Sequence, residues 1–150
     1  MTKIELSTMI NAPIERCFDL ARNIDLHRDS MAHTGEKAIA GCTVGLIGLN
    51  DTVTWRAKHL GIWQTLTSKI TEFDYPNSFT DEMVKGAFKS MRHEHLFYAI
   101  NNKTLMKDIF VFESPLGILG EWFNFIYLSK YMENLLRARN GVIKTVAEGA

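Results

Sequence analysis

His93 and His95 are separated by one residue. On a strand, alternate positions share a face, so both imidazoles project to the same side of the sheet. Imidazoles beside carboxylates have three chemical uses. They can pass protons as general acid and base, because a neighbouring carboxylate stabilises the imidazolium or fixes one tautomer. They can hold the polar end of a ligand by hydrogen bonds. They can also ligate a metal, with an aspartate as a further ligand type. The carboxylates that strand register brings to this pair are Asp81 and Asp108, with Glu72 nearby. A structural or ligand-orienting network is the first reading and catalysis by His93, His95, Asp81 and Asp108 the second. A metal centre is the third, because no His-Glu-x-x-His or cysteine-rich motif supports one. No cofactor is expected. No serine or cysteine sits in a nucleophile-elbow context, so covalent catalysis has no candidate.

The register follows from the turns. Leu60-Gly61 as a two-residue turn pairs Trp55 with Leu66, Val53 with Ser68 and His59 with Ile62. That face also carries Ala57, Gln64 and Ile70. The opposite face carries Thr54, Arg56, Lys58, Thr67 and Lys69, so the first set points inward and Trp63 falls outside. Pro76-Asn77 as a two-residue turn sets Met83 opposite Ile70 and Asp81 opposite Glu72, with Phe79 and Lys85 on the same inner face. Asn101-Asn102 sets Phe97 opposite Met106, His95 opposite Asp108, His93 opposite Phe110 and Met91 opposite Phe112. The link through Gly86-Ala87 needs a three-residue turn or a bulge, since a strict two-residue turn would flip the face. The predicted inner lining is therefore Trp55, Leu66, Ile70, Glu72, Phe79, Asp81, Met83, Met91, His93, His95, Phe97, Met106, Asp108, Phe110 and Phe112, with Phe123 from the C-terminal segment. Such a set is more often plain core than a ligand wall. His27 and His33 read as surface or capping residues.

The chain that positions these residues has 150 residues, with 17 acidic and 17 basic side chains and a formal net charge of +0. The neutral balance and the lack of any Lys/Arg run argue against nucleic-acid binding. Its hydrophobic fraction of 46% and 11% aromatic content exclude a disordered chain. The length suits one domain over residues 1–150, burying ~70% of its unfolded surface without disulfides. Cys17 and Cys42 cannot form a disulfide framework and read as small hydrophobes in a reducing, cytoplasmic compartment. The N-terminus is no signal peptide, and the most apolar stretch, Trp122 to Leu128, is too short to span a bilayer. Its aromatics, Trp122, Phe123, Phe125 and Tyr127, read as core and lid, with membrane contact as a second reading and no stable insertion.

The elements follow from periodicity. Ile4, Leu6, Thr8 and Ile10 alternate with Lys3, Glu5, Ser7 and Met9, a half-buried strand. Asn11 can cap a helix with Pro13 in its first turn, and Ile14, Cys17, Phe18 and Ala21 give it one apolar face. Asn23 to Arg28 holds a second short helix, and Glu36 to Ala40 a short strand. Gly41, Gly45 and Gly48 lack phosphate-loop spacing and form a flexible connection. Strands split by turn signals run from Asp51 to Glu113. Ser114-Pro115 then opens a helical segment to about Ala147. Its apolar face turns from Leu116, Leu119, Phe123 and Ile126 to Leu128, Tyr131, Leu135, Val142 and Val146, which predicts a kink or break near Tyr127 to Ser129, or a first half that is buried differently.

This order, with the stretches "INAPIERCFDLARNIDLH", "LNDTVTWRAKHLG", "LTSKITEFDYPNSFTDEMVKGAFKSMRHEHLF" and "TLMKDIFVFESPLGILG", resembles the START-like or helix-grip superfamily (SRPBCC), in its polyketide cyclase/dehydrase-like and cell-division-inhibitor-like bacterial branch. The resemblance implies an α+β fold: a curved antiparallel β-sheet wrapped around a long C-terminal helix, two short helices after the first strand, and an apolar cavity between sheet and helix. It implies binding of a hydrophobic small molecule or lipid. A cyclase, dehydratase or isomerase working through the His/Asp cluster is the alternative, and a protein-interaction module a second one. Fold alone does not choose among them.

Overall fold

A computed structural model describes residues 1–114 and 127–149. Strand β1 (Thr2–Ile10) leads into helices α1 (Ile14–Ala21) and α2 (Ile24–Ser30) and one 3₁₀ turn (Ala32–Thr34). Strands β2 (Lys37–Gly41), β3 (Thr52–His59), β4 (Ile62–Asp74), β5 (Ser78–Lys85), β6 (Ser90–Ile100) and β7 (Lys103–Glu113) follow, then helix α3 (Ser129–Glu148). The strands form one antiparallel sheet ordered β1-β7-β6-β5-β4-β3-β2. This is the helix-grip α+β arrangement implied by the resemblance.

Two hairpins have the register read from the turns. Trp55 pairs with Leu66 and His59 with Ile62, while His95 pairs with Asp108 and Met91 with Phe112. Both turns hold positive φ at their two central residues, Leu60 and Gly61 in one and Asn101 and Asn102 in the other. That geometry matches the right-handed twist of the flanking strands. Trp63 lies outside as expected, under the Arg56 guanidinium at 4.1 Å.

The β4–β5 hairpin differs. Asp74 pairs with Ser78 around a three-residue turn, and a bulge at Thr71 lets Ile70 pair with Asp81 and Ser68 with Met83. One extra residue moves everything beyond it to the other face. Glu72 therefore leaves the inner face and pairs with Arg92 outside at 3.0 Å, while Phe73 turns in against Phe18. The β5–β6 link is longer than expected, residues 86–89, and keeps the face: Phe79 pairs with His95 and Asp81 with His93.

The helices also correct details. Pro13 is the N-cap of α1, and Asn11 caps nothing with its side chain; its backbone N–H donates to Glu148 Oε2 instead. Asn23 caps α2 by accepting from the Leu26 N–H at 3.0 Å. The expected helix from Pro115, most of the aromatic Trp122 to Leu128 cluster and Phe123 lie outside the described residues, while Ser114 is buried and not helical. Tyr127 and Leu128 form a π-helical turn into α3, where the break is expected. The buried stripe of α3 is Leu135, Leu136, Arg139, Asn140, Ile143 and Ala147, whereas Val146 is exposed and Val142 half-buried. The valines misled because two polar residues occupy the true inner stripe.

The core has two clusters. One centres on Phe18, with edge-on contacts to Phe73, Tyr75 and Phe79. The other joins Ile4, Leu6, Met91, Phe110, Phe112 and Leu136.

Candidate functional site

The inner faces of β5, β6 and β7 present Asp81, His93, His95 and Asp108 together. Their hydrogen bonds run diagonally to the strand pairing. His93 faces Asp81 across the ladder yet bonds Asp108 through Nε2 at 2.7 Å. His95 faces Asp108 yet bonds Asp81 through Nε2 at 2.7 Å. The crossing lets the two imidazoles stack, with centroids 3.7 Å apart. Phe79 covers the other face of His95 at 4.1 Å, and Phe110 meets His93 edge-on.

Helix α3 closes the network from below. Arg139 is buried and donates through Nη1 to Asp108 Oδ1 at 3.3 Å and to Asn140 Oδ1 at 3.0 Å. Its Nη2 reaches the Ala21 carbonyl and His95 Nδ1, each at 3.2 Å. Asn140 Nδ2 donates to Asp108 Oδ2 at 2.7 Å. Arginine always donates, so His95 Nδ1 is the acceptor and Nε2 carries the proton to Asp81. Both ring nitrogens of His95 are spent in its neutral form. Burial pushes its pKa down to about 3, reinforced by His93 and Arg139 against the opposing pull of Asp81. Burial alone would raise Asp108, but the His93 hydrogen bond and the His93 and Arg139 charges hold it well below the usual carboxylate range. Asp81 is also lowered: burial alone would raise it, but the His95 hydrogen bond and the His95, His93 and Arg139 charges together outweigh that.

Asp81, His93 and His95 bring ligand atoms within 4.8 Å of one another, the reach of a cation. The set does not suit one. His95 has no free nitrogen, and the Arg139 guanidinium 3.2 Å from it repels a second positive charge.

Above this floor, between the sheet and α3, lies a cavity of about 410 Å³. Of the residues singled out from sequence, Trp55, Leu66, Ile70, Phe79, Asp81, Met91, His93, His95 and Phe110 line it. Asp108 is fully buried behind the histidines. Phe97 and Met106 pack in the Phe18 cluster, and Phe112 and Met83 in the second, filled by neighbours instead of facing open space. Glu72 is outside on the far face of the sheet. Phe123 lies outside the described residues.

Sequence reasoning missed Arg139 and Asn140. Their signal was position: each follows Leu135 or Leu136 by four residues, and Arg139 precedes Ile143 by four, which places them on the buried stripe whatever their polarity. His27 is also corrected. It stays partly exposed but also lines the cavity, against Trp55 at 4.6 Å. Glu36 and Tyr131 join it, with Tyr131 Oη 2.8 Å from His59 Nδ1.

The strand order, the two short helices and the C-terminal helix make this a helix-grip α+β fold. Neither a protein-family model nor a curated protein sequence matches the chain. Solved structures do share its fold. The protein TTHA0849 from Thermus thermophilus is similar at 17% identity, with a TM-score of 0.75 and coverage of 97% of this chain and 99% of that one. The ginseng major latex-like protein 151 from Panax ginseng is similar at 16% identity, TM-score 0.72, covering 97% of each chain. Protein Ms6760 from Mycobacterium smegmatis is similar at 13% identity, TM-score 0.70, covering 96% and 89%. Among the described residues no helix is long and apolar enough to cross a membrane.

Proposed function

We propose that the protein binds a hydrophobic or amphipathic small molecule between the sheet and α3, as a carrier or sensor. The observation that carries this reading is the cavity of about 410 Å³, apolar in its walls and closed at one end by a polar floor. Its size falls within the ~300–1,000 Å³ typical of small-molecule sites. Met91 and Met132 give part of the wall an adaptable surface. On the floor, His93 Nδ1 hydrogen-bonds no described residue and is free for a polar group of the ligand. The START-like resemblance supports the same reading, with a lipid among the ligands it allows.

The geometry favours binding over acid–base turnover. A proton-transfer role for His95 would require a nitrogen that is not already held, and both are held by Arg139 and Asp81. Native mass spectrometry of gently purified protein, followed by a screen of lipids and aromatic ligands, tests the proposal. A retained apolar molecule, or saturable binding that an Ala57→Phe substitution abolishes while the protein stays folded, is the expected result. No retained ligand and no titratable binding from the screen would overturn it.

A further inference from the structure

The end of the cavity away from the histidine floor holds a carboxylate with a buried oxygen that accepts no hydrogen bond. Glu36 immediately precedes β2, four strands from His93 on β6, a separation of roughly 19 Å along the sheet at ~4.8 Å per strand. Its side chain is nine-tenths buried and lines the cavity. Oε2 is sealed from solvent and has no hydrogen-bond partner. His27 Nε2 lies 3.4 Å away, within ion-pair reach but without the geometry of a hydrogen bond. His59 also faces Glu36, and burial lowers its pKa. Among the described residues no lysine or arginine pairs with Glu36. The contrast with the floor is sharp, because Asp81 and Asp108, equally enclosed, accept hydrogen bonds from His95, His93, Arg139 and Asn140.

A buried carboxylate without donors is costly. In an empty cavity water can serve its other oxygen, Oε1, which is not sealed. A ligand that fills the cavity displaces that water and must bring a donor of its own. We propose that Glu36 anchors the ligand: the bound molecule has an apolar body and one hydrogen-bond donor, a hydroxyl or a protonated amine, that docks on the Glu36 carboxylate beside His27. This rests on the ligand-binding reading above and adds the class of ligand.

Decyl methyl ether, decanol and decylamine share an apolar body and differ in the donor. Each is titrated into the full chain and into Glu36→Leu and Glu36→Gln variants, by displacement of a bound fluorescent apolar dye. The native protein prefers decanol or decylamine over the ether by roughly tenfold or more, the worth of one hydrogen bond to a charged group. Glu36→Leu removes that preference. Glu36→Gln keeps an acceptor but no charge, so an amine preference collapses in it and a hydroxyl preference survives; either pattern supports the anchor and tells the two donors apart. Equal affinities in the native protein, or a preference that persists in Glu36→Leu, overturn the anchor while leaving the cavity reading intact. If none of the three binds the native protein, the cavity reading fails and the anchor with it. Glu36→Leu also melts at or above the native temperature, since no donor is stranded by it; a clear fall would reveal a structural partner and refute the proposal.

Discussion

Replacing Arg139 by methionine tests whether the floor is a buried, mutually dependent network. Methionine keeps the length and helix propensity of the side chain, so the loss falls on the guanidinium. Four contacts go: to Asp108, Asn140, the Ala21 carbonyl and His95 Nδ1. Asp108 is 0% exposed and keeps only His93 and Asn140. Breaking a buried pair by removing one partner costs about 3–5 kcal/mol, because the remaining charge is left uncompensated. For a chain of this size that corresponds to a melting temperature lower by roughly 6–20 °C. Urea unfolding monitored by circular dichroism gives the free energy, with the slope checked for two-state behaviour. The double variant Arg139→Met/Asp108→Leu removes both charges and should recover a large part of the loss, an interaction energy of about 2 kcal/mol or more in a double-mutant cycle. A cost for Arg139→Met below about 1 kcal/mol, the scale of an exposed ion pair, would refute the buried network. So would additive single and double variants.

Two further outcomes follow from the same geometry. The folded state holds His95 neutral, with its pKa lowered to about 3 from 6.5, so it binds fewer protons than the unfolded chain. Its contribution is therefore complete above pH ~6.5 and is lost on acidification towards pH ~3, at up to ~1.4 kcal/mol per pH unit. Asp81 and Asp108, both lowered, act in the same direction below about pH 4. Unfolding free energies between pH 7 and 4.5 check this, and a flat profile, or one that His95→Gln leaves unchanged, contradicts it. Glu72→Gln should change stability by less than about 0.5 kcal/mol and leave ligand affinity unaltered, because Glu72 sits on the outer face against Arg92; a loss of affinity would place it inside.

How much was legible from sequence depended on how local the determinant was. Leu60-Gly61 and Asn101-Asn102 announce tight turns, and a period of two then carries the register along both hairpins, so the positions of Trp55, His93, His95 and Asp108 follow. The Thr71 bulge has no such signal. Thr71 is an ordinary strand residue, and the extra residue shows only in the pairing, which is why Glu72 is misplaced and Phe73 is not expected inside. Arg139 and Asn140 were hidden for a different reason. An apolar-periodicity argument rejects polar residues from a buried stripe, yet their partners Asp108 and His95 come from strands more than thirty residues away. The same blindness applies to Glu36, whose burial depends on how β2 lies against β3 and α2.

Under the proposed binding role, the two ends of the cavity divide the work. Leu136 ties α3 to β6 and β7 by apolar packing, but against Asp81, His93, His95 and Asp108 the tie must be polar. The floor supplies that tie with polar bonds, and it spends nearly all its donors and acceptors on itself. One guanidinium joins α3 to the Ala21 carbonyl of α1, to β6 and to β7 at once. A lysine could not do so, since a point ammonium lacks the planar fork that reaches three elements. Such a saturated cluster is rigid and offers a ligand little beyond His93 Nδ1. Glu36 is the reverse: buried at comparable depth, and left with its hydrogen bonds unmade. If Glu36 is the anchor proposed above, the residues most conspicuous in the sequence, the His-x-His pair and its aspartates, mainly serve the scaffold, and ligand selection falls to the inconspicuous carboxylate at the other end.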